Sequence, residues 1–150
     1  MRIKNRRGEL ILECPDDPVG YWFDDMDLRE GVFANLVLEG ASFSDANLQA
    51  ADFTNADLYW THFIGANLQD AILTGSDLRG ANLTDANLEN ATLHDANLGL
   101  DNVGGSTWLE GANLSGTRLS GANLRGAAYD DNTVFPESFD PTAAGMVRRS

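Results

Sequence analysis

Few residues in this 150-residue chain are of a type that does chemistry: two histidines, His62 and His94, one cysteine, Cys14, and 23 carboxylates. A zinc site needs three or four ligands at short, patterned spacings. Neither histidine has partners at such a spacing, so no metal is expected. A thiol nucleophile needs a neighbouring base or a positive field. Cys14 has no histidine near it in the sequence and reads as a structural thiol. As the only cysteine it excludes an internal disulfide, compatible with a reducing compartment. No Ser/His/Asp set is suggested, and no glycine-rich loop sits between a strand and a helix to cradle phosphate. The expectation is a protein with no catalytic residues, no cofactor and no enzymatic activity.

The carboxylates lead elsewhere, because they belong to a repeat. In "ANLTDANLENATLHDANL" (81–98) a leucine returns every fifth residue, always two after an alanine. Counting back from Leu98 gives Leu93, Leu88, Leu83, Leu78, Leu73, Leu68, Phe63, Leu58, Phe53, Leu48, Phe43, Leu38, Phe33 and Leu28, an unbroken series of Leu or Phe. A period of five fits no helix, which advances about 100° per residue, and no flat strand, whose faces alternate. It fits a chain that bends by the same angle once per repeat, so that every fifth side chain points to a common axis. Alanine fills the inward corner, as at Ala46, Ala66 and Ala86, and the Asn or Asp after it hydrogen-bonds nearby backbone. The phenylalanines favour four sides, because with 20 residues per turn Phe33 stacks under Phe53 and Phe43 under Phe63 on opposite walls. The fold expected is therefore all-β, a right-handed quadrilateral parallel β-helix with coils about 4.8 Å apart.

Tandem A(D/N)LXX units over residues 26–130 resemble the pentapeptide repeat family, which implies a right-handed quadrilateral β-helix. The resemblance extends to "NTVFPESFDPTAAGM" (132–146), which is similar to the closing segment of cyanobacterial members. It implies a fold and little about function, since unrelated roles share this scaffold.

Three regions depart from the repeat. Residues 1–25 read as a strand-like segment and cap, with Leu10, Ile11, Leu12, Trp22 and Phe23 covering the open first coil. Pro15 and Pro18 prevent a long helix there. Residues 131–150 read as a second cap built on Val134, Phe135, Phe139, Met146 and Val147, with a possible short helix capped by Asp140. Inside the repeat, Val103 keeps the frame, but the next core positions are Leu109, Leu114, Leu119 and Leu124, displaced by one. The segment 99–108 is accordingly expected to hold one extra residue, a bulge absorbed by Gly104 and Gly105, and no larger insertion. About five coils follow, a stack ~24 Å tall before its caps.

The net charge is −13, and residues 8–147 carry all 23 acids against Arg29, Arg79, Arg118 and Arg125, a net of −19. Such a surface repels nucleic acid and anionic membranes and attracts basic protein surfaces. No direct nucleic-acid binding and no membrane association are expected. No apolar run approaches the ~20 residues of a membrane span, and no signal-peptide core is found, so a cytoplasmic location is expected.

One stretch breaks the small, polar pattern of the outward positions. "DLYWTHFIG" (57–65) places Tyr59, Trp60, His62 and Ile64 outside around one corner, with Gly40 and Gly80 either side of Trp60. Arg79 is positioned to stack on Tyr59 or to pair with Glu39. Exposed Trp and Tyr beside Arg is the composition of an interface anchor, so Tyr59, Trp60, His62, Ile64 and Arg79 form the candidate partner-binding patch. Trp108 is a weaker candidate, beside a bulge that needs its bulk. The leading expectation is a non-enzymatic protein-interaction scaffold whose partner is a protein, either monomeric or an end-to-end dimer. The family resemblance implies an alternative, a DNA-mimicking modulator of a gyrase-type topoisomerase; members of that kind dimerise through a C-terminal helix, and some carry projecting loops. A structural repeat protein without a specific partner is the third reading.

Overall fold

A computed structural model describes residues 1–14 and 16–150, so the expectation placed on Pro15 lies outside the described residues. Its dominant feature is a ladder of single parallel bridges in which each residue pairs with the one 20 further on: Trp22 with Ser42, Ser42 with His62, His62 with Asn82, and likewise along the neighbouring columns to Asp77 with Asn97. The chain thus returns on itself every 20 residues. Each pentad makes one bend, closed by the amide three residues after the core position, as in Ala46 N–H to the Phe43 carbonyl (3.1 Å). The residue two after the core position takes a positive φ, at Asp45, Asn55, Asp70, Asp85 and Asp95 among others, the third position of a type II turn. The Asn or Asp before the core residue fastens the same bend, its Oδ1 accepting the amide two residues on, as at Asn67 (3.1 Å from Gln69 N) and Asn87 (3.1 Å from Glu89 N). The amides of Asn67, Asn87 and Asn113 also link the column, each donating at 3.3–3.4 Å to the Asn below.

The predicted core positions Leu28 to Leu98, together with Leu109 and Leu114, are at most 1% exposed, and Leu124 is 4% exposed. Leu119, expected inside, is only partly buried, and the bridge column beside it ends at Arg118 with no further coil paired on it. The phenylalanines form two stacked columns, Phe23–Phe43–Phe63 at 4.5 and 5.3 Å and Phe33–Phe53 at 4.8 Å, which meet edge to face at 5.5–6.1 Å. Phe23, assigned to the cap by sequence, belongs to this core, and the ladder starts at Trp22.

Two expectations about the interior break are corrected. Beyond Leu98 the pairing offset changes from 20 to 26: Asn82 with Trp108, Asn87 with Asn113, Thr92 with Arg118, Asn97 with Asn123. The insertion is therefore six residues, not one. A period of five is blind to the difference, since one and six extra residues leave the same phase. Val103, which kept the frame, is 83% exposed in the resulting loop.

The amino end is a hairpin of β1 (Arg2–Lys4) and antiparallel β2 (Leu10–Glu13), laid on the repeat through Val32 N–H to the Lys4 carbonyl (2.8 Å) and a bridge from Asn5 to Gly31. Ile3 is its buried residue and Ile11 and Leu12 are half-buried, whereas Leu10 and Trp22, expected to cover the coil, are exposed. At the other end β3 (Ala128–Tyr129) pairs in parallel with β4 (Val147–Arg148). Met146 is buried, and Tyr129, Phe135 and Phe139 pack together at 5.3 Å spacings, but Val134 and Val147 point outward. Asp140 does accept the Thr142 and Ala143 amides, yet the segment stays a turn, and among the described residues there is no helix. The hairpin thus pairs onto the amino end of the ladder, while at the carboxyl end Val134 and β4 pair onto part of the last coil.

Candidate functional site

The six inserted residues build a structure on the predicted corner. Asp101 closes the loop on itself, its Oδ1 accepting the amides of Val103 (2.9 Å) and Gly105 (2.6 Å), and its own amide donating to the Gly105 carbonyl (2.8 Å). Three contacts fasten the loop to the corner. Trp60 Nε1 donates to Asp101 Oδ2 (2.9 Å), the Asn102 amide donates to the Tyr59 hydroxyl oxygen (3.3 Å), and Arg79 Nη1 donates to Asn102 Oδ1 (3.1 Å). The Tyr59 and Trp60 rings stack at 5.5 Å, and the Arg79 guanidinium lies 5.5 Å over the Tyr59 ring. Arg79 forks onto Asp77 (2.6 Å), two residues before it, rather than reaching Glu39. Burial alone would push the Asp77 carboxyl up, but this guanidinium holds it below the usual carboxylate range.

Of the predicted patch, the fold thus brings Tyr59, Trp60 and Arg79 into one cluster. His62 makes none of these contacts but shares with Trp60 a groove of about 340 Å³ lined also by Asn82, Asp101, Ser106 and Trp108. Ile64 is 39% exposed but does not line the groove. The residues that sequence reasoning missed are Asp101, Asn102 and Ser106, and it underweighted Trp108. Their one signal was the Asx-turn composition of "DNVGG" (101–105).

Trp60 is unusual in its backbone. It sits at φ +54°, where the equivalent residues 20 before and after are Gly40 and Gly80. A bulky residue in the left-handed region is a real outlier, strained by about 1–2 kcal/mol. Gly80 also leaves no space for a Cβ, because the Trp60 ring occupies it. The backbone therefore gains nothing from tryptophan here, and the side chain itself is what the position holds.

The Trp60 indole, followed by the Gly105 amide, holds the Asp101 carboxyl below the usual carboxylate range. A carboxyl with a depressed folded-state pKa contributes stability above its unfolded value of about 3.9 and loses it as pH falls through the lower folded value. The Trp60 indole N–H resonance is therefore expected to hold its position from pH 7 down to about 4 and to move only below that, as the loop detaches. A shift beginning near pH 6 would contradict the contact.

The residues first considered for chemistry are dispersed. His94 Nδ1 lies 3.3 Å from the Ser120 carbonyl, far along the chain from His62. Burial pushes the Cys14 thiol up, away from the thiolate a nucleophile requires. Among the described residues no group of three or more His, Cys, Asp or Glu is placed to hold a metal ion, and no helix is long and apolar enough to cross a membrane.

No protein of curated function matches the chain in sequence. Among solved structures, HetL, a pentapeptide repeat protein involved in heterocyst differentiation regulation from the cyanobacterium Nostoc sp. strain PCC 7120, is 32% identical over 68% of this chain, with a TM-score of 0.44. The match covers 48% of HetL, so the chain spans about half that relative's length. The pentapeptide repeat protein Rfr23 from the cyanobacterium Cyanothece 51142 is 27% identical, covering 78% of this chain and 89% of its own, with a TM-score of 0.50. QnrB1, a plasmid-mediated fluoroquinolone resistance protein, is 16% identical over 88% of this chain and 89% of its own, with a TM-score of 0.48. The family profile for pentapeptide repeats matches residues 23–58, 61–99 and 106–128 in eight copies, breaking off where the loop is inserted. Those segments make up more than half of the sequence, and with the five-residue bends and buried Leu/Phe series they show that the chain belongs to the pentapeptide repeat family.

Proposed function

We propose that this protein is a non-enzymatic protein-interaction module, a right-handed quadrilateral β-helix of about five coils whose acidic walls present one aromatic corner to a protein partner. The observation that carries the reading is Trp60: half-exposed, strained at φ +54°, and set in a column between Gly40 and Gly80. Aromatic side chains at a surface, next to arginine and beside a groove, are the composition of binding hot spots. The alternative, a DNA-mimicking modulator of a gyrase-type topoisomerase, draws its support from the family resemblance and the net charge of −13.

Capture from the native host's lysate at low and high salt distinguishes the two. The wild type is expected to retain a partner that the Tyr59→Ser/Trp60→Ser double variant loses at both salt concentrations. Recovery of a topoisomerase equally by both proteins, with release at high salt, would replace the aromatic-corner reading with charge mimicry.

A further inference from the structure

We infer that the groove between Trp60 and Trp108 receives an arginine side chain from an extended basic segment of the partner; this rests on the interaction reading above. Two indoles, 48% and 46% exposed, line one groove of about 340 Å³. That volume is at the small end of ligand pockets, which run about 300–1,000 Å³. It accommodates a long side chain and a little backbone, and no folded element.

The charges around the groove select the sign of the occupant. Asp101 is the acid in its lining, while two other acids hold the flanking arginines. Asp77 is matched by Arg79, and Glu110 lies 3.8 Å from Arg149. Asp101, on the groove itself, has no cationic partner among the described residues. Its Oδ2 accepts one bond, from Trp60, and a carboxylate oxygen has a second lone pair to offer. An ionised carboxylate beside two half-exposed indoles, on a chain of net charge −13, is complementary to a cation.

Guanidinium suits the site better than ammonium. It is flat, so it stacks on an indole, and its fork of donors reaches a carboxylate at the same time. The chain already seats guanidinium groups on both flanks. Arg79 lies over Tyr59, and Arg149 of the tail reaches Ser106 Oγ at 3.4 Å, a residue of the groove wall. No arginine or lysine of the chain lines the space between them, its one basic lining residue being the imidazole of His62, and the flanking guanidinium groups are each turned to an acid of their own.

The probe is the peptide acetyl-Gly-Ser-Arg-Ser-Gly-amide, titrated into the isotope-labelled protein while the three indole N–H resonances are followed, with exposed Trp22 as internal reference. Saturable shifts at Trp60 and Trp108, with Trp22 still, are expected. The same peptide with citrulline, which keeps the shape and removes the charge, is expected to bind about tenfold more weakly, and Trp108→Ala and Asp101→Asn each to weaken the arginine peptide about 3- to 30-fold. Trp108→Ala leaves the loop contacts of Asp101 in place, so the test stands even where Asp101→Asn loosens the loop. Equal binding of the citrulline peptide, or equal movement of Trp22, overturns the inference. So do concentration-dependent shifts without peptide, which would make a second copy's basic amino end the occupant. If the arginine peptide fails while the double variant still loses its lysate partner, the interaction corner stands and the arginine falls; if both fail, the corner itself is not a site.

Discussion

Leu68→Asp is expected to abolish cooperative folding at 25 °C. Leu68 is fully buried, in register with Leu48 and Leu88 on a column where every residue is Leu. Truncating a buried leucine costs about 2–5 kcal/mol through lost transfer energy and the space left behind. Aspartate adds a carboxyl with no partner, which takes up a proton or stays charged at a further cost of several kcal/mol. The sum is at least about 5 kcal/mol, comparable to the whole stability of an ordinary domain. Position makes it worse. In a repeat stack each unit leans on its neighbours, so a break at mid-height uncouples the halves on either side. Leu119→Asp is the control: that side chain is only partly buried near the carboxyl end, and its replacement should cost about 1–2 kcal/mol. Urea unfolding followed by far-UV circular dichroism reads both. Equal, small effects at the two positions would mean that the Leu column is not the structural axis.

Phe43→Ala is the second large effect, expected to destabilise by about 4 kcal/mol. The Phe43 ring stacks between Phe23 and Phe63 at 4.5 and 5.3 Å and meets the edges of Phe33 and Phe53 at 5.5 and 5.6 Å. It is the centre of the aromatic half of the core, and each such pair adds about 0.5–1.5 kcal/mol beyond area burial. Phe43→Leu should cost only about 1–1.5 kcal/mol, because most other pentads place leucine at this point and the change keeps much of the volume. Thermal unfolding of the two variants separates a requirement for aromatic stacking from a requirement for bulk. A Leu variant as damaged as the Ala variant would show that the rings themselves specify the stack.

The repeat was legible because its physics is local and periodic. Each pentad carries its own inward Leu or Phe, its small corner residue and its Asx bond, so the core series and the stacking of Phe33 on Phe53 followed from counting. The loop was not legible for the same reason: counting in fives registers Leu109 as one residue late whether one residue or six were inserted. Val103 fell on the frame by coincidence of phase and lies in solvent. The cap residues were misjudged because hydrophobicity says that an end must be covered, not which side chains do it; Ile3 and Met146 cover, while Trp22 and Val147 do not. At the corner, Tyr59, Trp60 and Arg79 stood out as exceptions to the outward pattern. Their partners Asp101 and Asn102 lie about forty residues on in an aperiodic segment, and only the three-dimensional return of the chain places them there.

In the function proposed here, the loop and its aromatic corner serve binding and the fold does not need them. Removing residues 100–104 together with Ser106 takes out six residues, returns the four bridges now offset by 26 to an offset of 20, and leaves Gly105 at the position that requires a positive φ. One paired measurement on this variant decides the matter: its urea unfolding midpoint and its capture of the wild-type partner from host lysate. The expected result is a midpoint corresponding to a stability within about 1 kcal/mol of the wild type, with capture lost. A variant that unfolds several kcal/mol earlier, or one that is stable and still captures the same partner, would contradict the claim.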